Sequence, residues 1–133
     1  MRIWKIFGRQ RSGQTSDDAV RRVNIHDALV DTGATTLSLP SSLIARLGLS
    51  ERYKKTVTSS IGLGEAAMYD AVRLTIQGRD CTVDVMEFSD TVPVLIGQIP
   101  LEILDLVVDT RNRKLIGNPE HGGEHIIELY ISV

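Results

Sequence analysis

The chain has 133 residues, a formal net charge of -2, 42% apolar residues and 24% charged residues. These are the proportions of one globular domain, and they give no reason to expect a nucleic-acid partner. Cys81 is the single cysteine, which excludes an internal disulfide and points to a reducing compartment; no apolar run reaches the roughly 20 residues of a membrane span. The expectation is a cytoplasmic protein with neither a membrane nor a nucleic-acid partner.

In chain order, Ile3 to Phe7 alternates apolar with other residues and reads as a first strand, not as a signal peptide. Residues 8–18 are polar and glycine-bearing, a mobile loop by composition. Val20 to Ile25 predicts a second strand. Ala28-Leu29-Val30 is a short apolar run, expected as a buried strand that carries Asp31 at its tip. After Pro40, Ser41 is placed to cap a short helix bearing Leu43, Ile44 and Leu47, and Gly48 stands where that helix would stop.

From Arg52 to Met86 the pattern changes to period two. Val72, Leu74 and Ile76 alternate with Arg73, Thr75 and Gln77, then Gly78-Arg79-Asp80 predicts a turn. The chain returns through Cys81, Val83 and Val85, which completes a hairpin. Val92 to Ile96 predicts another strand, stopped by Gly97. Pro100 suits the first turn of a second short helix, through Leu104. Leu106-Val107-Val108 and Lys114-Leu115-Ile116 should pair across the turn at 109–112. Residues 126–131 remain as a further strand candidate, either at a subunit interface or packed within one subunit. Many short strands with two short helices predict a single all-β domain over 1–133, a closed β-barrel or sandwich.

The segment richest in chemistry is Ala28-Leu29-Val30-Asp31-Thr32-Gly33-Ala34-Thr35. A carboxylate at the end of an apolar strand is partly desolvated, a setting suited to acid–base work. Gly33 lets the backbone turn sharply and a ligand approach closely, and Thr32 offers a hydroxyl to brace a tight loop. An ordinary turn is the competing account, since Asp, Thr and Gly all form turns.

This segment resembles the active-site loop of the aspartic proteases, and Ala34 after the glycine is similar to the retroviral-type (retropepsin-like) branch. Downstream, Pro93-Val94-Leu95-Ile96-Gly97 resembles the family's strand that crosses behind the catalytic loop, with Leu95, Ile96 and Gly97 in that role and a short helix following. Between them Ser59-Ser60-Ile61-Gly62-Leu63-Gly64 sits where the family has its flap, the hairpin that closes over bound peptide. Retroviral enzymes follow the alanine with acidic residues and the later glycine with an arginine that pairs with one of them. Here Thr35, Thr36 and Gln98 stand at those places, so the ion pair is missing and a hydrogen bond is the natural replacement. With Leu101-Glu102 and Asn118-Pro119, the chain looks closer to the bacterial retropepsin-like proteins than to the viral enzymes.

The resemblance implies an aspartic endopeptidase without cofactor or metal. Its mechanism needs two carboxylates that share a proton around one water, one acting as base and the other as acid. The sequence has no second Asp-Thr/Ser-Gly: Asp90-Thr91-Val92 and Asp109-Thr110-Arg111 both lack the glycine. The second carboxylate would come from Asp31 of another copy, placed by a two-fold axis. Thr32 of each copy would brace the opposite loop and Gly33 would present backbone to the substrate. Leu37, Ile61, Leu63 and Val94 are the expected pocket residues, with apolar preference on both sides of the cut bond. The alternative is a non-catalytic dimeric module that only holds a peptide in the same groove. An intact Asp31-Thr32-Gly33 favours the enzyme.

Other signals reduce to structure. His121-Gly122-Gly123-Glu124-His125 has the H-x-x-E-H spacing of some zinc peptidases, but paired glycines disfavour the helix that chemistry needs. His26-Asp27 has no motif-marked nucleophile and reads as a surface turn. Trp4 and Tyr69 are expected in the core or an interface, and Cys81 in packing.

Overall fold

The computed structural model describes residues 4–8, 21–59 and 61–126, with side chains given for 21–58 and 61–126. Of the expected mobile loop at 8–18, Gly8 ends a strand and residues 9–18 lie outside the described residues, as do the flap residue Ser60 and most of the strand candidate at 126–131.

The described chain is mostly β, with two short α-helices. Strands β1 (Trp4–Gly8), β2 (Arg22–Ile25), β3 (Leu29–Val30) and β4 (Leu37–Pro40) precede helix α1 (Ser41–Leu47). The long strands β5 (Glu51–Ser59), β6 (Gly62–Ile76) and β7 (Arg79–Phe88) follow, then β8 (Leu95–Ile96) and helix α2 (Gln98–Ile103). Strands β9 (Leu106–Asp109) and β10 (Lys114–Gly117) close the series, before a single 3-10 turn at Pro119–His121.

One sheet runs in the order β2-β1-β6-β7-β4-β8-β3, with β5 added to β6, and β9 and β10 form a separate antiparallel pair. The sheet is not closed into the expected barrel: β2 and β3 end the path without pairing to each other. Closure requires a continuous, staggered ladder between the end strands. The two-residue β3 already gives its ladder to β8 and has little left to offer.

Side-chain alternation explains the layering. Val72, Leu74 and Ile76 of β6 are fully buried against Cys81, Val83 and Val85 of β7, while Arg73 and Gln77 face water. Leu37, Leu39, Leu43, Ile44, Leu47, Ile96, Leu101 and Leu104 complete the same core. The β6–β7 turn is tighter than expected. It is the two-residue Gln77-Gly78, with φ of 52° and 78°, and Arg79 and Asp80 already belong to β7. Two successive positive φ values match the twist of the flanking strands, which is why glycine stands second. A register shift between Tyr69 and Val72 divides β6 into a core half and an outer half that carries the β5 hairpin.

Helix α1 buries Leu43, Ile44 and Leu47 and ends at Gly48, whose φ of 69° suits glycine. Its start differs from expectation. Pro40 is the N-cap and provides no side-chain cap; Ser41 Oγ donates to Phe88 O (3.2 Å), and Asp90 Oδ1 accepts from Ser42 N (2.9 Å). The cap is supplied across the fold, a pairing that local sequence does not reveal. Strand β8 is also shorter than the predicted 92–96, because residues 90–92 turn before Leu95 reaches the ladder.

Candidate active site

Two short strands build the site. Strand β3 runs parallel to β8, with Leu29 opposite Leu95 and Val30 opposite Ile96. Leu29 N–H donates to Val94 O (2.8 Å) and Asp31 N–H to Ile96 O (2.9 Å). The ladder therefore ends at Asp31 itself, and its backbone is fixed where the chain leaves the sheet.

From there the chain makes a compact loop, 31–36. Ala34 N–H donates to Asp31 O (3.0 Å), and Gly33 N–H donates to Asp31 Oδ1 (2.9 Å). The second bond orients the carboxylate from inside the loop. The far side of the loop is held by the start of α2: Gly97 N–H donates to Thr36 O (3.0 Å), Gln98 N–H to Ala34 O (2.9 Å) and Ile99 N–H to Thr35 O (2.9 Å). Thr36 Oγ1 donates to Asp84 O of β7 (3.0 Å). Gly97 is required by the contact. A Cβ there would lie 2.6 Å from Thr36 O and 2.7 Å from Ala34 O, both backbone atoms that cannot yield cheaply.

These bonds also show what holds the loop in place of the missing ion pair. Gln98 contributes its backbone to the loop, while its side chain Nε2 turns away to Glu102 Oε1 (3.0 Å). The link between loop and helix is thus made by peptide groups, with no charge.

Exposure departs from the reading of β3 as a buried strand. Leu29 is 55% exposed, Val30 is half-buried, and Asp31, Thr32 and Gly33 face outward. The carboxylate stands on an open surface, two residues along the chain from the exposed Leu29. The β5–β6 hairpin brings Ser59 opposite Gly62, and beyond the core it exposes Ile61 (97%) and Leu63 (77%). Gly62 takes a φ of 123°, where a side chain would be strained, and Gly64 has open space around it. Of the four expected pocket residues, Ile61 and Leu63 are available at the surface. Leu37 and Val94 are buried in the core, since both belong to segments that pack inward behind the loop.

The other residues singled out in the sequence lie outside this site. Pro119–His121 is a 3-10 turn, so the H-x-x-E-H spacing is not read out on a helix, and no metal-ligand cluster occurs among the described residues. His121 Nδ1 bonds to Asp105 Oδ2 (2.6 Å). Asp105 also accepts from Asn118 Nδ2 (3.2 Å) and from Ile126 N–H (3.1 Å). The His121 bond is the main cause of a pKa below the ordinary aspartate value. His26 and Asp27 occupy an exposed bend. Burial, helped by the charge of Asp80, pushes the Cys81 thiol up to about 11. Tyr69 packs against the core and donates its hydroxyl to Glu87 Oε1 (3.3 Å). The sequence placed Thr36 at the missing ion pair and suggested a hydrogen bond there, but not the partner, Asp84 O, which lies 48 residues along the chain.

A β-rich fold, a strand-tip carboxylate bonded by its own loop glycine, and a second strand stapled behind that loop together define an aspartic-peptidase type of site. The aspartyl protease family model matches residues 20–99, more than half of the chain, and the chain belongs to that family. Comparison with curated proteins finds no match.

Proposed function

We propose that this chain is an aspartic endopeptidase of the retropepsin-like type, nearest the bacterial branch, and that it works as a homodimer. Each copy contributes one Asp31 to a shared dyad. The observation that carries this reading is the placement of one fixed, outward-facing Asp31 in a chain with no second Asp-Thr/Ser-Gly. One carboxylate is half of the required chemistry, and a two-fold axis beside the exposed Leu29 would bring the other half. The paired carboxylates hold one proton between them. The ionised partner takes a proton from the water, the protonated partner donates to the carbonyl oxygen, and the water oxygen bonds to the carbonyl carbon. The resulting gem-diol collapses as the scissile C–N bond breaks, with a proton delivered to the leaving amine.

Thr32 braces the loop of the opposite copy, and Gly33 with Ala34 presents the loop to an extended peptide. The hairpin tip, 60–64, covers the bound segment, and Ile61 and Leu63 supply apolar contacts to its side chains. The substrate is a peptide or protein, and the proposed setting is the cytoplasm, without cofactor. No helix among the described residues is long and apolar enough to cross a membrane.

The test compares wild type with Asp31→Asn on a mixed peptide pool. We expect Asp31→Asn to lose at least about a hundredfold in rate, in line with removal of an acid–base group. Equal cleavage by the two proteins would remove the aspartic-peptidase reading, and cleavage by neither would leave a non-catalytic peptide-holding module as the reading of this fold.

A further inference from the structure

The loop that carries Asp31 is fastened on two sides, and only one fastening uses a side chain. On the α2 side, three peptide N–H groups of residues 97–99 hold three successive carbonyls of residues 34–36. On the β7 side the fastening is the Thr36 hydroxyl on Asp84 O, 3.0 Å away. Strand β4 begins at the next residue, with Leu37 paired in parallel to Val85. The Thr36 hydroxyl extends that ladder by one step, past the point where the backbone has left the sheet.

We infer that Thr36 is a positioning residue for the reaction: its hydroxyl fixes the height of the Asp31 loop over β7 with an uncharged bond. The inference rests on the peptidase reading above. A shift of Thr36 reaches the carboxylate by a short path. Thr36 O is in close contact with Gly97, and the turn from Ala34 back to Asp31 is closed by the 3.0 Å Ala34 N–H bond. The segment from Asp31 to Thr36 therefore moves as a unit. In a two-fold site, a displacement in each copy changes the separation of the two carboxylates by both displacements together, so a small slip is doubled where the shared proton sits.

The experiment uses the full chain with Thr36→Val, Thr36→Ser and Asp31→Asn beside wild type, assayed for kcat and KM on one cleaved peptide. Thr36→Val removes the donor, and Thr36→Ser restores it. We expect Thr36→Val to lower kcat by about ten- to a hundredfold while KM changes by less than about twofold, the pattern of a misplaced reacting group with intact binding. Thr36→Ser should recover most of kcat. Thr36→Ala serves as a second donor-free chain should the valine variant fail to fold by circular dichroism. A donor-free variant with wild-type kcat overturns the inference alone. A Thr36→Ser chain as impaired as the donor-free ones also overturns it, since packing and not the hydroxyl would then be the cause. Wild type without Asp31-dependent cleavage overturns the peptidase reading, and this inference with it.

Discussion

Single atoms decide much at this site, and glycine positions test the geometry directly. Gly97→Ala places a methyl against the carbonyl oxygens of Thr36 and Ala34, so the loop and the α2 start must separate. The expected cost is about 1–3 kcal/mol of stability by chemical denaturation, the range for overpacking, with activity lost as well. Gly64→Ala meets nothing within 4 Å and should change stability by less than about 0.5 kcal/mol. Asp105 gives a pH-dependent counterpart. Its folded pKa is lowered, chiefly by the His121 bond, so it contributes stability that is present above the unfolded value of 3.8 and lost as pH falls through the lower folded value. Asp105→Asn should therefore be less stable than wild type at neutral pH, with the two denaturation curves converging in strong acid. A constant difference down to the lowest accessible pH would show that the charge is not what holds residues 118–126. Cys81, buried and with its thiol pushed up to about 11, should resist thiol reagents until the protein unfolds.

Among the elements, the β5–β6 hairpin differs most from the rest. Its inner half is anchored by Ala66 and Met68, while residues 61–65 are exposed and little buried area holds them down. Amide hydrogen exchange in residues 61–65 should be faster than in β6 around Val72 and should slow when a peptide-like inhibitor binds. Rates equal to those of the core without inhibitor would remove the lid role. The hairpins and helix α1 were readable from sequence, because alternation at Val72, Leu74 and Ile76 and the spacing of Leu43, Ile44 and Leu47 are local signals. The motif Asp31-Thr32-Gly33 was equally plain. What escaped depends on partners far along the chain: Asp90 capping α1, Asp84 O receiving Thr36, and Leu37 and Val94 turned into the core. Closure into a barrel was expected from strand number. It failed because pairing at the sheet ends depends on how many ladder groups a strand has free, which strand propensity does not encode.

For the whole molecule, the proposed shared dyad would tie activity to both concentration and pH. Dilution below the dimer dissociation constant should reduce specific activity faster than linearly with total protein. Rate against pH should be bell-shaped, falling at high pH as the shared proton leaves the pair. Excess Asp31→Asn chains mixed with wild type should poison activity through mixed dimers, and full activity with subunit exchange verified would sink the shared-site model. The parallel joining of β3 to β8 has a further consequence in time. The Asp31 loop is completed by residues 84 and 94–99, which leave the ribosome long after Asp31 does, and loops of that length close only once their far ends exist. A nascent chain halted at Asp90 should therefore present residues 31–36 to an added protease, and one extended well past Ile103 should shield them. The loop around Asp31 can take its final form only once the strand behind it has arrived.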